Sequence, residues 1–262
     1  MATKISKRKR PRKEDKTYKI ERKIEGKVFD RETLKVLSKF IGKGLFDKMD
    51  NPIKMGKEAN VFRGVKLKDN EPFKYYAVKI YRIETTSFKK MGDYIFDDPR
   101  FRNVRKSMHD FIKTWTRKEY INLKTCYLKG VNVPEPVAYD KTVIIMEFLG
   151  EDGLPYGTLN VYNKEGLEDI YDIELFFDQW LEQIKKILEC KIVHADMSEY
   201  NVIVTPIGPR IIDMAQAVSL KHPKAKYFLE RDMKNYLIAC KKFKVERHKQ
   251  VEELLEEYNI HK

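Results

Sequence analysis

Thirteen residues constrain this chain more than any other stretch: Ile192-Val193-His194-Ala195-Asp196-Met197-Ser198-Glu199-Tyr200-Asn201-Val202-Ile203-Val204. Together with Ile211-Ile212-Asp213 they set three polar groups, Asp196, Asn201 and Asp213, at the ends of short apolar runs. Val202 to Val204 and Arg210 to Ile212 read as two short strands around a Pro206-Ile207-Gly208-Pro209 turn. Taken singly, His194, Asp196 and Asn201 are ordinary turn formers between a helix and a strand. Their fixed order, a loop, a hairpin and then an acid, argues for a site.

Asp196 and Asn201 stand five residues apart in the pattern H-x-D-x-x-x-x-N, and Asp213 follows. This is the spacing of a protein-kinase catalytic loop and its metal-binding acid. Phosphoryl transfer asks little covalent chemistry of a protein. It needs a carboxylate facing the acceptor hydroxyl and oxygen ligands that hold Mg2+ against a triphosphate. In this reading Asp196 and Asp213 are catalytic, and Asn201 and Asp213 are the metal ligands.

A nucleotide site needs more than a metal. Lys79 lies in Ala77-Val78-Lys79-Ile80, near the end of a β-rich run. A lysine among apolar neighbours is costly unless its charge is used, although an edge-strand lysine facing solvent fits the same pattern. Glu119, in Arg117-Lys118-Glu119-Tyr120, is the candidate partner by position. Met55-Gly56-Lys57-Glu58-Ala59-Asn60-Val61 sits where a phosphate-covering loop belongs. It matches neither G-x-G-x-x-G nor a Walker A run, but Gly56, Gly64 and Ala59 let backbone N–H groups approach phosphate. Met55, Gly56, Lys57, Glu58, Ala59 and Val61 are therefore candidate nucleotide contacts, with an ordinary hairpin turn as the plain alternative. Glu147 and Leu149 would offer backbone groups to a base.

Hydrophobic periodicity supplies the frame. Arg31 to Ile41 reads as a helix stopped by Gly42 and Gly44. Ile53 to Met55, Val61 to Val65, Tyr75 to Tyr81 and Val143 to Leu149 read as strands. Lys106 to Leu128 and Ile173 to Cys190 read as helices, the second N-capped by Asp172. Pro134 and Pro136 break the chain, and the last forty residues read as two helices. Strands precede helices, so the expected class is α+β and bilobed: an antiparallel N-terminal sheet with a long helix, then a mainly helical lobe. The expected divisions are a basic flexible tail at 1–23, an ATP-binding lobe at 24–149 with a flexible insertion at about 82–105, and a catalytic lobe at 150–262.

Charge is uneven along the 262 residues, whose net is +13. Residues 1–23 hold 11 Lys or Arg against 3 Asp or Glu, and residues 82–118 hold 10 against 5, so these two segments carry the whole excess. The tail reads as a solvated segment or as a contact with a polyanion such as RNA. No apolar run reaches the length of a membrane span, the N-terminus lacks an apolar signal core, and Cys126, Cys190 and Cys240 have no metal-ligand spacing. A cytoplasmic protein with reduced thiols is expected.

The runs Gly56-Lys57-Glu58-Ala59-Asn60-Val61, Ala77-Val78-Lys79-Ile80-Tyr81-Arg82, Trp115-Thr116-Arg117-Lys118-Glu119-Tyr120, the 194–201 loop and Ile211-Ile212-Asp213-Met214-Ala215-Gln216-Ala217-Val218 together resemble the RIO family of atypical serine/threonine protein kinases, in its type-1, archaeal-like form. The resemblance covers about residues 30–240. It implies a two-lobed protein-kinase-like fold, ATP with Mg2+ (or Mn2+), serine autophosphorylation and action on a small-ribosomal-subunit precursor. It also implies a phosphoaspartate at the metal-site acid, here Asp213. Ser107, Thr85, Thr86 and Ser87 are the candidate autophosphorylation sites in the basic segment. Ala195 stands where ordinary protein kinases carry arginine, Met214-Ala215 replace Phe-Gly, and no Ala-Pro-Glu follows. An extended activation or peptide-binding segment is therefore not expected. Two other classes stay open on the residues: a small-molecule phosphotransferase of the aminoglycoside or choline kinase kind, and a non-catalytic RNA-binding scaffold.

Overall fold

The computed structural model describes residues 29–258 except 70, 84–90 and 102–106. The basic tail and the candidates Thr85, Thr86 and Ser87 lie outside the described residues. Helix α1 (Arg31–Gly42) starts at Asp30, whose carboxylate accepts from the Thr33 N–H at 2.7 Å. Strands β1 (Lys48–Met55), β2 (Ala59–Lys68), β3 (Glu71–Tyr81), β4 (Pro136–Asp140) and β5 (Val143–Glu147) form one sheet in the order β1-β2-β3-β5-β4. Every neighbouring pair is antiparallel.

Helix α2 (Met108–Leu128) runs between β3 and β4 in sequence and packs against β4 and β5. The sheet is covered on both faces, which explains why β5 is a continuous apolar run rather than an alternating one. Val143 and Ile145 join Val36, Leu37 and Phe40 of α1, whereas Ile144 and Met146 join the core that contains Trp115 and Leu123 of α2. The period-2 alternation of β3 matters most. Val78 and Ile80 go to the α1 side, so Ala77, Lys79 and Tyr81 face the other lobe.

The second lobe is built on α4 (Ile173–Glu189), after a short α3 (Lys164–Glu168). Asp172 caps α4 through the Leu175 N–H at 2.7 Å, and the expected apolar face, from Ile173 to Leu188, is buried. Helices α5 (Ala225–Phe243) and α6 (His248–Glu257) complete it. Four small β pieces sit at the lobe boundary: β6 (Gly150–Glu151) with β7 (Leu154–Pro155), and β9 (Val202–Thr205) with β10 (Gly208–Ile211). Strands β8 (Ile192–Val193) and β11 (Val218–Ser219) pair across the catalytic-loop region. Only residues 220–224 join β11 to α5, so no extended segment separates them.

Several expectations need correction. The stretch 91–101, within the expected insertion, contributes side chains to the core. Met91, Ile95 and Phe101 are buried and Asp98 is wholly so, because Asp98 is paired with Arg100 at 2.7 Å and accepts from the Ser219 N–H. The proline break at 134–136 is followed by an edge strand, β4, where a missing N–H costs nothing. Strand β1 begins at Lys48 rather than Ile53, β5 stops at Glu147, and the β9–β10 turn tightens to Pro206-Ile207. No helix among the described residues is long and apolar enough to cross a membrane, and Cys126, Cys190 and Cys240 are free thiols.

Candidate active site

Lys79 is the meeting point of the two lobes. Its Nζ donates to Glu119 Oε1 at 2.7 Å and to Asp213 Oδ1 at 3.0 Å. Glu119 is 1% exposed and Lys79 8% exposed, so this is a buried network with both partners supplied. Tyr81, next on the same face of β3, donates its hydroxyl to Glu119 Oε2 at 2.5 Å. Burial opposes the charge on Lys79, but Asp213 and Glu119 outweigh it and the net pKa is raised. Burial likewise pushes Asp213 up, and Lys79 overrides it to leave Asp213 below the usual carboxylate range. For Glu119 burial wins over Lys79, and its pKa is raised.

The catalytic-loop residues converge as the spacing requires. Asn201 donates through Nδ2 to the Asp196 carbonyl at 2.8 Å and to Asp196 Oδ2 at 3.1 Å. Gln216 adds a bond to Oδ2 at 3.2 Å. Burial, then the charge on Asp213, raises Asp196 to about 6. A carboxylate poised there can take a proton near neutrality. His194 is buried and held down at about 4, so its ring is neutral. The ring is placed between the Ile212 carbonyl at Nε2 (3.2 Å) and the Asp196 N–H at Nδ1 (3.3 Å), which assigns the proton to Nε2.

Two backbone positions in the site are unusual. Ala195 and Asp213 both have φ 63°, the left-handed region that non-glycine residues avoid. At Ala195 the conformation is held from α5: Asp232 accepts from the N–H groups of Ala195 (2.7 Å) and Met197 (2.9 Å), and Arg231 donates to the Ala195 carbonyl. From below, Trp180 of α4 donates its indole N–H to Met197 Sδ at 3.3 Å. The apolar face of α4 therefore reaches the loop directly.

The β1–β2 turn lies near enough to this centre for the Glu58 charge to act on Asp196. The Gly56 N–H donates to the Ala59 carbonyl at 3.0 Å, and a Cβ on Gly56 would meet that oxygen at 2.7 Å. The Glu58 carbonyl accepts from Arg82 N–H at 2.8 Å, and the Glu58 charge contributes to raising Asp196. Ala59 and Val61 are partly buried on β2, whereas Met55 and Lys57 are exposed. Glu147 ends β5 with its carboxylate turned aside, to Arg210 at 2.5 Å and the Glu135 N–H at 3.0 Å. The Leu149 carbonyl accepts from Tyr156 N–H at 3.0 Å. Beside this hinge lies a cavity of about 270 Å³ lined by Glu147 to Gly150, Tyr156, Thr205 to Ile207 and Arg210, and not by Lys79 or Asp213. Ser107 makes none of the hydrogen bonds of this centre among the described residues. It caps α2, and its hydroxyl bonds only locally, to Asp110.

Sequence reasoning assigned no role to Tyr81, Gln216, Arg231 or Asp232. Tyr81 and Gln216 lay inside quoted motifs, and the alternation of β3 places Tyr81 on the face of Lys79. Arg231 and Asp232 had no local signal, because their partners are more than thirty residues away. Among the described residues no three His, Cys, Asp or Glu side chains converge as a self-sufficient metal cage.

A model of the RIO domain family matches residues 60–254. The chain is 36% identical over 213 residues to the RIO-type serine/threonine-protein kinase Rio1 of Haloferax volcanii, a match covering 81% of this chain and 70% of that one. It is 37% identical over 215 residues to the protein of the same name from Methanocaldococcus jannaschii, with the same two coverages. Against serine/threonine-protein kinase RIO3 of Caenorhabditis elegans the identity is 33%, over 79% of this chain but 39% of that one. Among solved structures, the Rio2 kinase from Chaetomium thermophilum aligns with TM-score 0.63 at 21% identity, covering 85% of this chain and 68% of the other. Its ADP/Mg2+-phosphoaspartate complex aligns with TM-score 0.59 at 19% identity, covering 88% and 71%. These likenesses show a protein-kinase-like fold.

Proposed function

The chain belongs to the RIO domain family, and on that premise we propose that it is a serine/threonine protein kinase that transfers the γ-phosphoryl group of ATP to a hydroxyl acceptor. The observation that carries this reading is Lys79 held between Glu119 and Asp213, at 2.7 and 3.0 Å, across the lobe boundary. That arrangement supplies a fixed cation for the phosphates beside an acid that can ligate a metal. Asp196 orients the acceptor hydroxyl and takes its proton. The Gly56 turn covers the phosphates, and the backbone of Glu147 and Leu149 receives the adenine. Asn201 and Asp213 would hold Mg2+, which when bound neutralises charge on the β- and γ-phosphates.

Asp213 is a second acceptor in this proposal. Its side chain is 43% exposed, and only Oδ1 is engaged by Lys79. Attack of its other oxygen on the γ-phosphorus would release ADP and leave an acyl phosphate, which water then hydrolyses. The structural relative named as a phosphoaspartate complex motivates the test. The partner is proposed to be a small-ribosomal-subunit precursor, a reading that rests on the family resemblance and on the basic 1–23 segment. Binding to such RNA should weaken steeply with salt.

The deciding experiment incubates the protein with γ-labelled ATP and Mg2+, beside Asp196→Ala and Asp213→Ala. Acid-stable label, hydroxylamine-sensitive label and free phosphate are followed separately. The kind of label in the parent identifies the acceptor, and its loss in both variants supports the kinase reading. A parent that binds ATP but neither transfers nor releases phosphate would overturn it in favour of a scaffold. Transfer to small amines in preference to protein would favour the small-molecule class.

A further inference from the structure

Lys118 is 0% exposed, and among the described residues no acid accepts a hydrogen bond from its amine. Asp98 is occupied by Arg100, and Glu119 by Lys79 and Tyr81. The Lys118 amine, whose pKa burial pushes well below the ordinary lysine value, instead donates to the carbonyls of Ala215 at 2.8 Å and Ala217 at 2.5 Å, with the Trp115 ring 5.5 Å away. One turn further along α2, Asn122 Nδ2 donates to the carbonyls of Met214 and Ala217, both at 2.9 Å. Arg100 closes the group, donating to Asn122 Oδ1 at 2.8 Å and to the Ala217 carbonyl at 3.3 Å.

Burying a lysine amine is costly, and two backbone carbonyls are weak compensation beside a carboxylate. Core packing alone would be served better by methionine or leucine. What the amine does here is hold the segment that directly follows Asp213. The left-handed backbone at Asp213 (φ 63°) lets the next carbonyls meet α2 while the Asp213 carboxylate meets Lys79. Lys118 and Glu119 are adjacent, so one helix sets both the phosphate lysine and the metal-site loop.

We propose that Lys118, supported by Asn122, is a positioning residue that fixes Asp213 for metal binding, and that α2 thereby locks the metal acid and Lys79 into one arrangement. This rests on the assignment of Asp213 as a metal ligand made above. The clamp replaces the separately mobile metal segment that a phosphorylated loop would otherwise have to organise, in a chain where only residues 220–224 lie between β11 and α5.

The test compares the parent with Lys118→Met, which keeps length and apolar stem but removes the donors, and with Asn122→Ala. Folding is checked by circular dichroism and thermal melting. ADP binding is titrated without metal and with Mg2+, and amide hydrogen exchange of residues 213–219 is followed in the ligand-free protein. The expected result is metal-free ADP affinity within about twofold of the parent, a Mg2+-dependent gain in affinity reduced about 10- to 100-fold, and faster exchange at 214–217. A folded Lys118→Met with the parent's Mg2+ dependence and exchange overturns the proposal. Should Lys118→Met not fold, Asn122→Ala is read by the same arms, and its matching the parent in both overturns the proposal equally. A parent whose ADP affinity ignores Mg2+ refutes the metal assignment instead, and the exchange arm then tests the clamp without any ligand.

Discussion

Tyr81 and Lys79 share one carboxylate: the tyrosine hydroxyl donates to Glu119 Oε2 and the lysine ammonium to Oε1. The two donors are two residues apart on β3, the spacing that puts them on the same face of the sheet. Both oxygens of Glu119 are therefore engaged, and it cannot swing from Lys79 without leaving a buried hydroxyl unpaired. Tyr81→Phe should remove about 1–3 kcal/mol of stability, read from chemical denaturation, because a buried acceptor loses its donor. It should also lower kcat/KM for ATP severalfold as Glu119 gains freedom. Unchanged values of both would show that Lys79 alone holds the glutamate.

The pH profile of kcat/KM should report Asp196, whose pKa in the free enzyme stands at about 6. Its working form is the carboxylate, so activity is full above that value and falls about tenfold per unit below it. Asp196→Asn should lose about 1,000-fold in kcat, within the range for a missing general base, and lose this acid limb with it. A residual activity in Asp196→Asn that kept the same limb would assign the ionisation to another group. His194 is held neutral at about 4 and does not titrate in that window.

Asp232 is 2% exposed and accepts from two N–H groups of the catalytic loop. Asp232→Ala leaves both donors buried and unpaired and frees the left-handed Ala195. A loss of about 2–5 kcal/mol in unfolding free energy is expected. At temperatures where the variant is still folded, kcat should fall more than metal-free ADP affinity does, because the loop and not the hinge is disturbed. A variant that melts early but turns over at the parent's rate would make Asp232 a stability residue only.

Gly56→Ala is a test of the phosphate-covering turn. The added methyl would meet the Ala59 carbonyl oxygen at 2.7 Å, which forces the turn open. KM for ATP should rise about tenfold while the melting temperature moves little, since Met55 and Lys57 on the same turn are exposed. A KM unaltered by this change would argue that the turn does not close on the nucleotide.

What was legible beforehand divides along physical lines. Burial follows from periodicity, so α4 with its face from Ile173 to Leu188 could be read from the residues alone, whereas the pattern around Lys79 fitted a solvent-facing lysine as well. The contact of Asn201 with Asp196 was legible because their spacing is set by one local loop. The partners that hold these groups were not. Asp232 meets Ala195, Lys118 meets Ala215 and Arg100 meets Ala217 across long sequence separations, and a charged residue on a helix looks solvated until its neighbour is known. The burial in 91–101 was hidden for the same reason: its charges read as exposure, but Asp98 and Arg100 satisfy one another inside the fold.

Ser107 can be tested as an acceptor without confusing chemistry with folding. Its hydroxyl caps α2, the helix that carries Lys118, Glu119 and Asn122. Ser107→Ala removes the cap as well as the acceptor, at a cost of about 1 kcal/mol. Ser107→Asp removes the acceptor but keeps an oxygen for the Asp110 N–H, although it sets a second carboxylate near Asp110. If Ser107 is the autophosphorylation site, both variants lose acid-stable label at that position by mass spectrometry, and the aspartate variant keeps the parent's ADP affinity. Label retained elsewhere at the parent's level would remove Ser107 as the acceptor and leave its role as the helix cap. Phosphate at this position would meet the N-terminal amides of α2, which favour negative charge. The modified protein should therefore melt no lower than the unmodified one, a comparison that scanning calorimetry of the two forms makes directly.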